Sequence, residues 1–302
     1  MQIRLGYACI NTELTAKNIT TNRSIQRKTF LESGLQKCSE VAIANSADLL
    51  KILKWNIENR IYVYRMSSDI IPWHSEYRLS NLPGYSDIVK NLEEAGKYAR
   101  DTGTRLSFHP GPFNCLASSD NSVVAKAVTD LDNHAEILDI MGMPSNHMSK
   151  INIHIGGAYG DKPAAMGRFA KNFKLLGEST RQRLTLENDD RESMYGVLDL
   201  YSIYKYIGTP IVFDGHHYLV GAKNDLTYEE AYSLAYSTWD CIPCYHWSNS
   251  AKDIQGDTTS NTAHSDYYTT AMPLLDLGDI DIILEAKMKE DALLMYRNKF
   301  RL

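Results

Sequence analysis

Eight short β-rich runs recur along the chain with longer helical stretches between them, and this alternation narrows the fold more than any other feature. The runs are Ile3 to Cys9, Tyr62 to Ser67, Arg105 to His109, Lys150 to Ile155, Arg183 to Glu187, Pro210 to Asp214, Ile242 to Trp247 and Asp281 to Glu285. Between them, Asp87 to Asp101, Val123 to Met141, Pro163 to Leu176 and Tyr228 to Thr238 carry helical periodicity. A helix between two strands makes the pair parallel, because only a crossover returns the chain to the starting edge of the sheet. Eight repeats within 302 residues predict an α/β (β/α)8 TIM barrel, residues 1–302 as one domain, in preference to an open doubly wound sheet. No fixed-period sequence repeat, low-complexity tract or linker interrupts the pattern.

In such a barrel the C-terminal strand ends gather at one mouth. His74 follows the second run, His109 lies on the third, His154 on the fourth and Glu187 on the fifth. Asp214 ends the sixth with His216 and His217 just beyond it, His246 lies on the seventh, His264 in the next loop, and Glu285 ends the eighth. Seven of the nine histidines are therefore at or just past strand ends. A lone histidine there is more often a hydrogen-bonded wall residue than a ligand, but this topology makes the set converge. Imidazole and carboxylate together suit manganese, zinc or iron, whereas magnesium and calcium prefer oxygen alone. The number of donors predicts two to three divalent ions with Glu187 and Glu285 bridging, a kit that serves phosphodiester hydrolysis or sugar isomerisation. His134, in a helix, and His147, in a loop, are read as structural.

Composition excludes several classes. The 43% hydrophobic and 23% charged content is that of a chain with a full core. No apolar run approaches the roughly 18 to 20 residues that span a bilayer, and the N-terminus lacks a signal-type apolar stretch, which predicts no membrane partner and a cytoplasmic location. A net charge of −5 argues against coating nucleic acid by bulk electrostatics, although carboxylates around cations distort that sum. Five scattered cysteines predict free thiols. Cys241 and Cys244 form a C-x-x-C, but with no second copy and on a strand they match neither a zinc ribbon nor a thioredoxin-type pair.

Seven segments, in order, resemble UV damage endonucleases: Arg4 to Asn11, Tyr64 to Asp69, Ser107 to Gly111, Ile153 to Lys162, Leu186 to Asp189, Asp214 to His217, and Leu284 to Lys287. The resemblance spans nearly the whole chain. It implies a barrel related to apurinic endonucleases and xylose isomerases, a manganese-type cluster, and incision of damaged double-stranded DNA on the 5′ side of pyrimidine photoproducts, with no organic cofactor. It further implies a monomer, nucleoid-associated in a prokaryote and nuclear in a eukaryote. By motif position it implies His109, His154, Glu187, Asp214, His217, His246, His264 and Glu285 as metal ligands, with His74 and His216 as further ligands or supports. Tyr7 and Asn11 match positions near the scissile phosphate and lesion; alternatively Tyr7 packs the barrel mouth and Asn11 turns the chain. Lys162 and Lys287 are candidates for phosphate contact, Lys287 with a catalytic role, unless a nearby carboxylate claims them.

The sequence departs from the family at two positions, Pro112 and Cys244. Pro112 and Phe113 stand where the family has Gln and an aromatic residue that probe the lesion; Phe113 keeps a face for stacking, while Pro112 cannot supply an amide's hydrogen bonds. Cys244 stands where the family carries a lysine, on the same strand face as His246. A thiolate ligand there would move preference toward zinc, and the alternative is a small buried thiol filling space. Phe113, Tyr159 and Trp73 near the mouth favour an open DNA groove over an enclosed sugar pocket. An apurinic-site nuclease, a sugar isomerase of the same superfamily, or a damaged-DNA-binding protein without catalysis are the alternatives.

Overall fold

A computed structural model describes residues 1–223, 225–256 and 259–302. Eight strands lie among the described residues: β1 (Ile3–Ala8), β2 (Val63–Arg65), β3 (Arg105–Ser107), β4 (Ile151–Ile153), β5 (Leu184–Glu187), β6 (Ile211–Val212), β7 (Cys244–Trp247) and β8 (Ile280–Leu284). Each lies within or beside a run expected from sequence, and most are shorter by one to three residues.

All pairings between named strands are parallel, in the orders β3-β2-β1-β8-β7 and β4-β5-β6. Two parallel bridges join these arcs, Phe108 with Ile151 and Asp214 with His246. The Phe108 amide donates to the Lys150 carbonyl at 3.0 Å, and the His246 amide to the Phe213 carbonyl at 3.0 Å. The ring of eight strands is thereby closed, as the alternation predicted.

The helices are α1 (Thr12–Thr15), α2 (Arg27–Glu58), α3 (Tyr85–Asp101), α4 (Asn121–Ile140), α5 (Lys162–Asn172), α6 (Glu178–Arg183), α7 (Val197–Ile207), α8 (Gly215–Val220), α9 (Tyr228–Tyr236), α10 (Lys252–Gln255) and α11 (Lys289–Phe300). The longest, α2, escapes the periodicity search. It buries polar residues, Asn45, Ser46, Asp48 and Asn56, among its apolar ones, and Gly34 interrupts it at φ 57°. Most of those polar groups find partners: the Asn45 amide donates to the Ile70 carbonyl at 3.1 Å, Asp48 pairs with Arg23 at 2.6 Å, and Asn56 accepts from Tyr7 on Oδ1 while its Nδ2 is left without a partner.

Strand alternation splits the side chains into two populations. Outward residues such as Leu106, Ile151, Ile153, Leu184, Leu186, Ile211 and Ile282 join Leu49, Ile52, Leu53, Leu92, Leu131 and Leu138 of the helices in the principal core. The barrel interior is different. Ala8, Val63, Cys244 and Ile283 form a small apolar layer, accompanied by fully or almost fully buried Arg105, Lys150, Asn152, Thr185 and Asp281. Arg4 and Arg105 both pair with Asp281, at 2.7 and 3.0 Å.

Candidate active site

Glu187, the last residue of β5, is completely buried and stands at the centre of the mouth. Its Oε2 is 3.0 Å from His109 Nε2 and 3.0 Å from His246 Nδ1, and its Oε1 is 3.2 Å from His217 Nδ1 and 4.0 Å from His154 Nε2. Glu285, just past β8, brings Oε1 to 3.2 Å from His246 Nδ1 and Oε2 to 3.8 Å from His264 Nε2. Four of the predicted imidazoles thus surround one carboxylate, supplied from just beyond β3 and β4, from α8 after β6, and from β7.

Local structure fixes these groups. Asp214 caps α8 by accepting the His217 amide on Oδ1 at 2.7 Å, which leaves Oδ2 directed elsewhere. Asn188 and Asp214 exchange two hydrogen bonds, 2.9 and 3.0 Å, and lock the ends of β5 and β6 together. His217 Nδ1 is 2.9 Å from the Asn188 carbonyl. Thr185 donates to Asn152 at 2.9 Å, and the Asn152 amide donates to Glu187. His264 is held by Ser248 Oγ, 2.6 Å from Nδ1, and by an antiparallel bridge between His264 and Ser250.

The electrostatics reflect this crowding. Burial pulls the His109 imidazole down to about 4 even though Glu187 faces it. Burial also acts against a charged His154, but Glu187 and Asp189 outweigh it and push that imidazole up to about 9. Burial opposes ionisation of Glu187, yet His246, His154 and His109 hold its carboxyl well below the usual range. Glu285 is likewise held low against burial, here mainly by the Arg65 guanidinium. Lys150 is pushed down to about 8 by burial.

The donor set fits divalent ions. Glu187 Oε1, Asp214 Oδ2, His154 Nδ1 and His246 Nδ1 are buried without a hydrogen-bond partner, although a buried polar atom left unsatisfied costs about 1–3 kcal/mol. Three ligand groups have their atoms within 4.8 Å of one another: His109, His154 and Glu187; Glu187, Asp214 and His217; Asp214, His246 and Glu285. Glu187 and Asp214 are each shared between neighbouring groups, the arrangement that bridging carboxylates require. The mouth opens into a cavity of about 590 Å³ lined by Arg65, His109, Pro112, His154, Glu187, Asp189, His217, His264 and Glu285 among others. A cavity of about 640 Å³ on the outer surface, between α5 and α7, gathers no comparable donor set.

Other expected residues lie apart from this ring or only at its edge. Tyr7 is on the outer face of β1, because Gly6 and Ala8 occupy the inward positions; its hydroxyl donates to Asn56 of α2 at 2.7 Å and accepts from Asn11 at 3.0 Å. Asn11 also caps α1 through Leu14. Both side chains are buried: Asn11 turns the chain at α1, and Tyr7 packs between β1 and α2, not in the barrel mouth. Lys287 is half exposed and faces Asp266 at 3.8 Å, and Lys162 is paired with Asp199 at 3.0 Å. His74 packs beside His134 and Tyr77, with Nε2 3.7 Å from Glu136, outside the ligand groups. His216 stands behind the ring, its centroid 5.6 Å from that of His264.

Cys244 points into the barrel as alternation predicts, but it packs with Ala8, Val63 and Ile283, and no ligand group among the described residues includes its sulfur. The space-filling alternative describes it, and the argument for zinc through a thiolate lapses. All five cysteines are free. Phe113 is 88% exposed and Tyr159 53% exposed on the rim, the latter at φ 52° with Arg168 against its ring. Trp73 stacks on Phe30 at 5.3 Å.

Sequence reasoning missed four contributors. Asp189 faces His154 at 3.3 Å, Arg65 pairs with Glu285, Asn152 donates to Glu187, and Lys150 Nζ lies 2.9 Å from His246 Nε2. Period two along the fourth run was the available signal, since Lys150, Asn152 and His154 share the inward face.

A family model described as UV-endonuclease UvdE matches residues 3–301. The chain is 36% identical over 238 residues to the UV DNA damage endonuclease of Clostridium perfringens, covering 79% of this chain and 55% of that protein, so it spans about half of that relative's length. It is 31% identical over 318 residues to the UV DNA damage endonuclease of Bacillus velezensis, covering 97% and 92%. The crystal structure of SacUVDE is similar with a TM-score of 0.85 at 26% identity, covering 99% of each chain. Together with the closed barrel and its ring of imidazoles and carboxylates, these matches show that the chain belongs to the UV-endonuclease UvdE family.

Proposed function

We propose that this protein is a DNA repair endonuclease that hydrolyses the backbone of double-stranded DNA on the 5′ side of UV photoproducts, using two or three divalent ions. The observation that carries the reading is the chain of three ligand groups joined by Glu187 and Asp214 at an open cavity. Nitrogen and oxygen donors without sulfur suit manganese, zinc or iron, and among these the family resemblance favours manganese. Bound ions would supply Lewis-acid polarisation of the phosphodiester and compensation for the charge of the departing oxygen.

The chain's own residues hold and orient these ions and the substrate. His109, His154, His217, His246, Glu187, Asp214 and Glu285 provide the donors, and His264 stands ready beside Glu285. The Asn152 amide keeps the Glu187 carboxylate from rotating away, the His217 backbone amide does the same for Asp214, and Asn188 fixes the Asp214 backbone. Arg65 keeps Glu285 ionised and presents a guanidinium to the cavity, where it suits a phosphate oxygen. Phe113 and Tyr159 offer exposed rings to unstacked bases. An open mouth suits a duplex better than a sugar, and an intact donor set opposes a protein that binds damage without cutting it.

Plasmid nicking tests the reading. Irradiated and unirradiated supercoiled plasmid are incubated with the protein and Mn2+, Zn2+ or a chelator. Nicked circles confined to irradiated plasmid and lost with chelator are expected, and end-labelled duplexes with one photoproduct should be cut 5′ of it. Tight binding to irradiated plasmid without nicking would establish the non-catalytic alternative. No helix among the described residues is long and apolar enough to cross a membrane, and for an enzyme of DNA repair we place its action at the nucleoid or in the nucleus, as a monomer.

A further inference from the structure

Lys150 is entirely buried inside the barrel, where an ammonium without a partner is costly. It precedes β4, and alternation stacks Lys150, Asn152 and His154 on one inward line rising toward the mouth. Asn152 and His154 both serve Glu187. Lys150 instead reaches across to β7, placing Nζ 2.9 Å from His246 Nε2. The other nitrogen of that ring, Nδ1, faces Glu187 at 3.0 Å and Glu285 at 3.2 Å and has no hydrogen-bond partner. Lys150 thus engages one edge of the imidazole while the two carboxylates face the other.

We infer that Lys150 is the positioning residue of His246: by engaging Nε2 from below, it turns Nδ1 toward the two carboxylates as the nitrogen available to an ion. The contact contains one shared hydrogen whichever nitrogen donates it, so Nε2 is occupied in either case. A histidine ligand whose second nitrogen is anchored loses less orientational freedom on binding and keeps one ring orientation. The space beside the amine belongs to Cys244, two residues before His246 on the same inward face, and its thiol lies near enough to act electrostatically on Lys150. A lysine at position 244 would rise about 6.6 Å along the strand to the same imidazole, so the amine has two routes to His246, and this chain uses the one from β4.

The inference rests on the ion-binding reading of the ring, and the experiment separates the two. Metal-free wild type, Lys150→Met and Lys150→Met/Cys244→Lys are titrated with Mn2+ by calorimetry, and the urea midpoint of each metal-free protein is recorded. Lys150→Met is expected to bind Mn2+ about 10–100-fold more weakly at an unchanged or higher urea midpoint. Adding Cys244→Lys is expected to restore most of the lost affinity. Wild-type affinity in Lys150→Met, or a loss that Cys244→Lys does not restore, overturns the positioning role. Should Lys150→Met not fold, the double variant decides: folded with near-wild-type affinity it supports the role, and unfolded or weak it overturns it. A wild-type protein that takes up no Mn2+ would instead overturn the ion-binding reading itself.

Discussion

Arg105 on β3 and Asp281 on β8 meet inside the barrel, Nη1 to Oδ2 at 3.0 Å, with neither side chain exposed to solvent. Arg4 holds the other oxygen of the same carboxylate at 2.7 Å, and Arg105 also donates to the carbonyls of Ile242 and His147, both at 2.7 Å. The network ties the ends of β1, β3, β7 and β8 opposite the mouth. Asp281→Asn removes the one anion facing a fully buried guanidinium. Breaking a buried pair from one side costs roughly 3–5 kcal/mol. Urea unfolding should show a loss of that size, and a variant within about 1 kcal/mol of wild type would mean the pair contributes little.

Glu187→Gln separates ion binding from folding. The amide fills the same volume, and its oxygen still accepts from Asn152, but it is a poor ligand and cannot bridge two ions. Losing several kcal/mol of electrostatic stabilisation lowers incision of irradiated plasmid by about 10³-fold or more. Wild type should melt at higher temperature when Mn2+ is present at 100 times its dissociation constant, which corresponds to about 2.7 kcal/mol. The variant should show little of that shift, and an equal shift would remove Glu187 from the ligand set.

One-dimensional spacing carries three-dimensional meaning where strand ends converge. His109, His154, Glu187, Asp214, His246 and Glu285 were legible because closure of parallel strands brings their ends together whatever the helices do. Tyr7 was not. Its motif position pointed to the mouth, while Gly6 and Ala8 on either side already showed which face of β1 looks inward. For Lys162 and Lys287 the partners, Asp199 and Asp266, come from other segments whose proximity no local pattern reveals. The α2 helix was obscured by polar residues most of which the tertiary structure satisfies, and the role of Lys150, although it opens the fourth run, depends on His246 of β7, which no local pattern brings near it.

His74 makes stability depend on pH apart from the ring. Burial, with a smaller contribution from His134, lowers its imidazole to about 3. Unfolded, the same group titrates near 6.5, so between these values the unfolded chain carries the extra proton and stability falls as pH falls. From pH 7.5 to 5.0 the contribution lost is about 2 kcal/mol. His74→Phe cannot take up that proton, and its urea-derived stability should fall less than that of wild type by about this amount. Parallel pH profiles would show that His74 is not the group responsible.

Phe113 tests the rim without disturbing the centre. Its ring is 88% exposed beside His109, Gly111 and Asn114, so Phe113→Ala removes almost no buried surface, and the melting temperature should be unchanged. A base stacked on an aromatic ring contributes about 1–3 kcal/mol by alanine substitution, which is roughly 5- to 150-fold in affinity. That loss should appear for irradiated duplex and be far smaller for intact duplex, whose bases remain stacked on one another. Phe113→Tyr keeps the face and should retain most of the affinity. Because Pro112 offers no side-chain hydrogen bond, the discrimination left after Phe113→Ala reports what the metal ring and backbone contacts supply alone. If Phe113→Ala weakens binding to damaged and intact duplex equally, the ring serves general contact and lesion recognition lies elsewhere on the mouth.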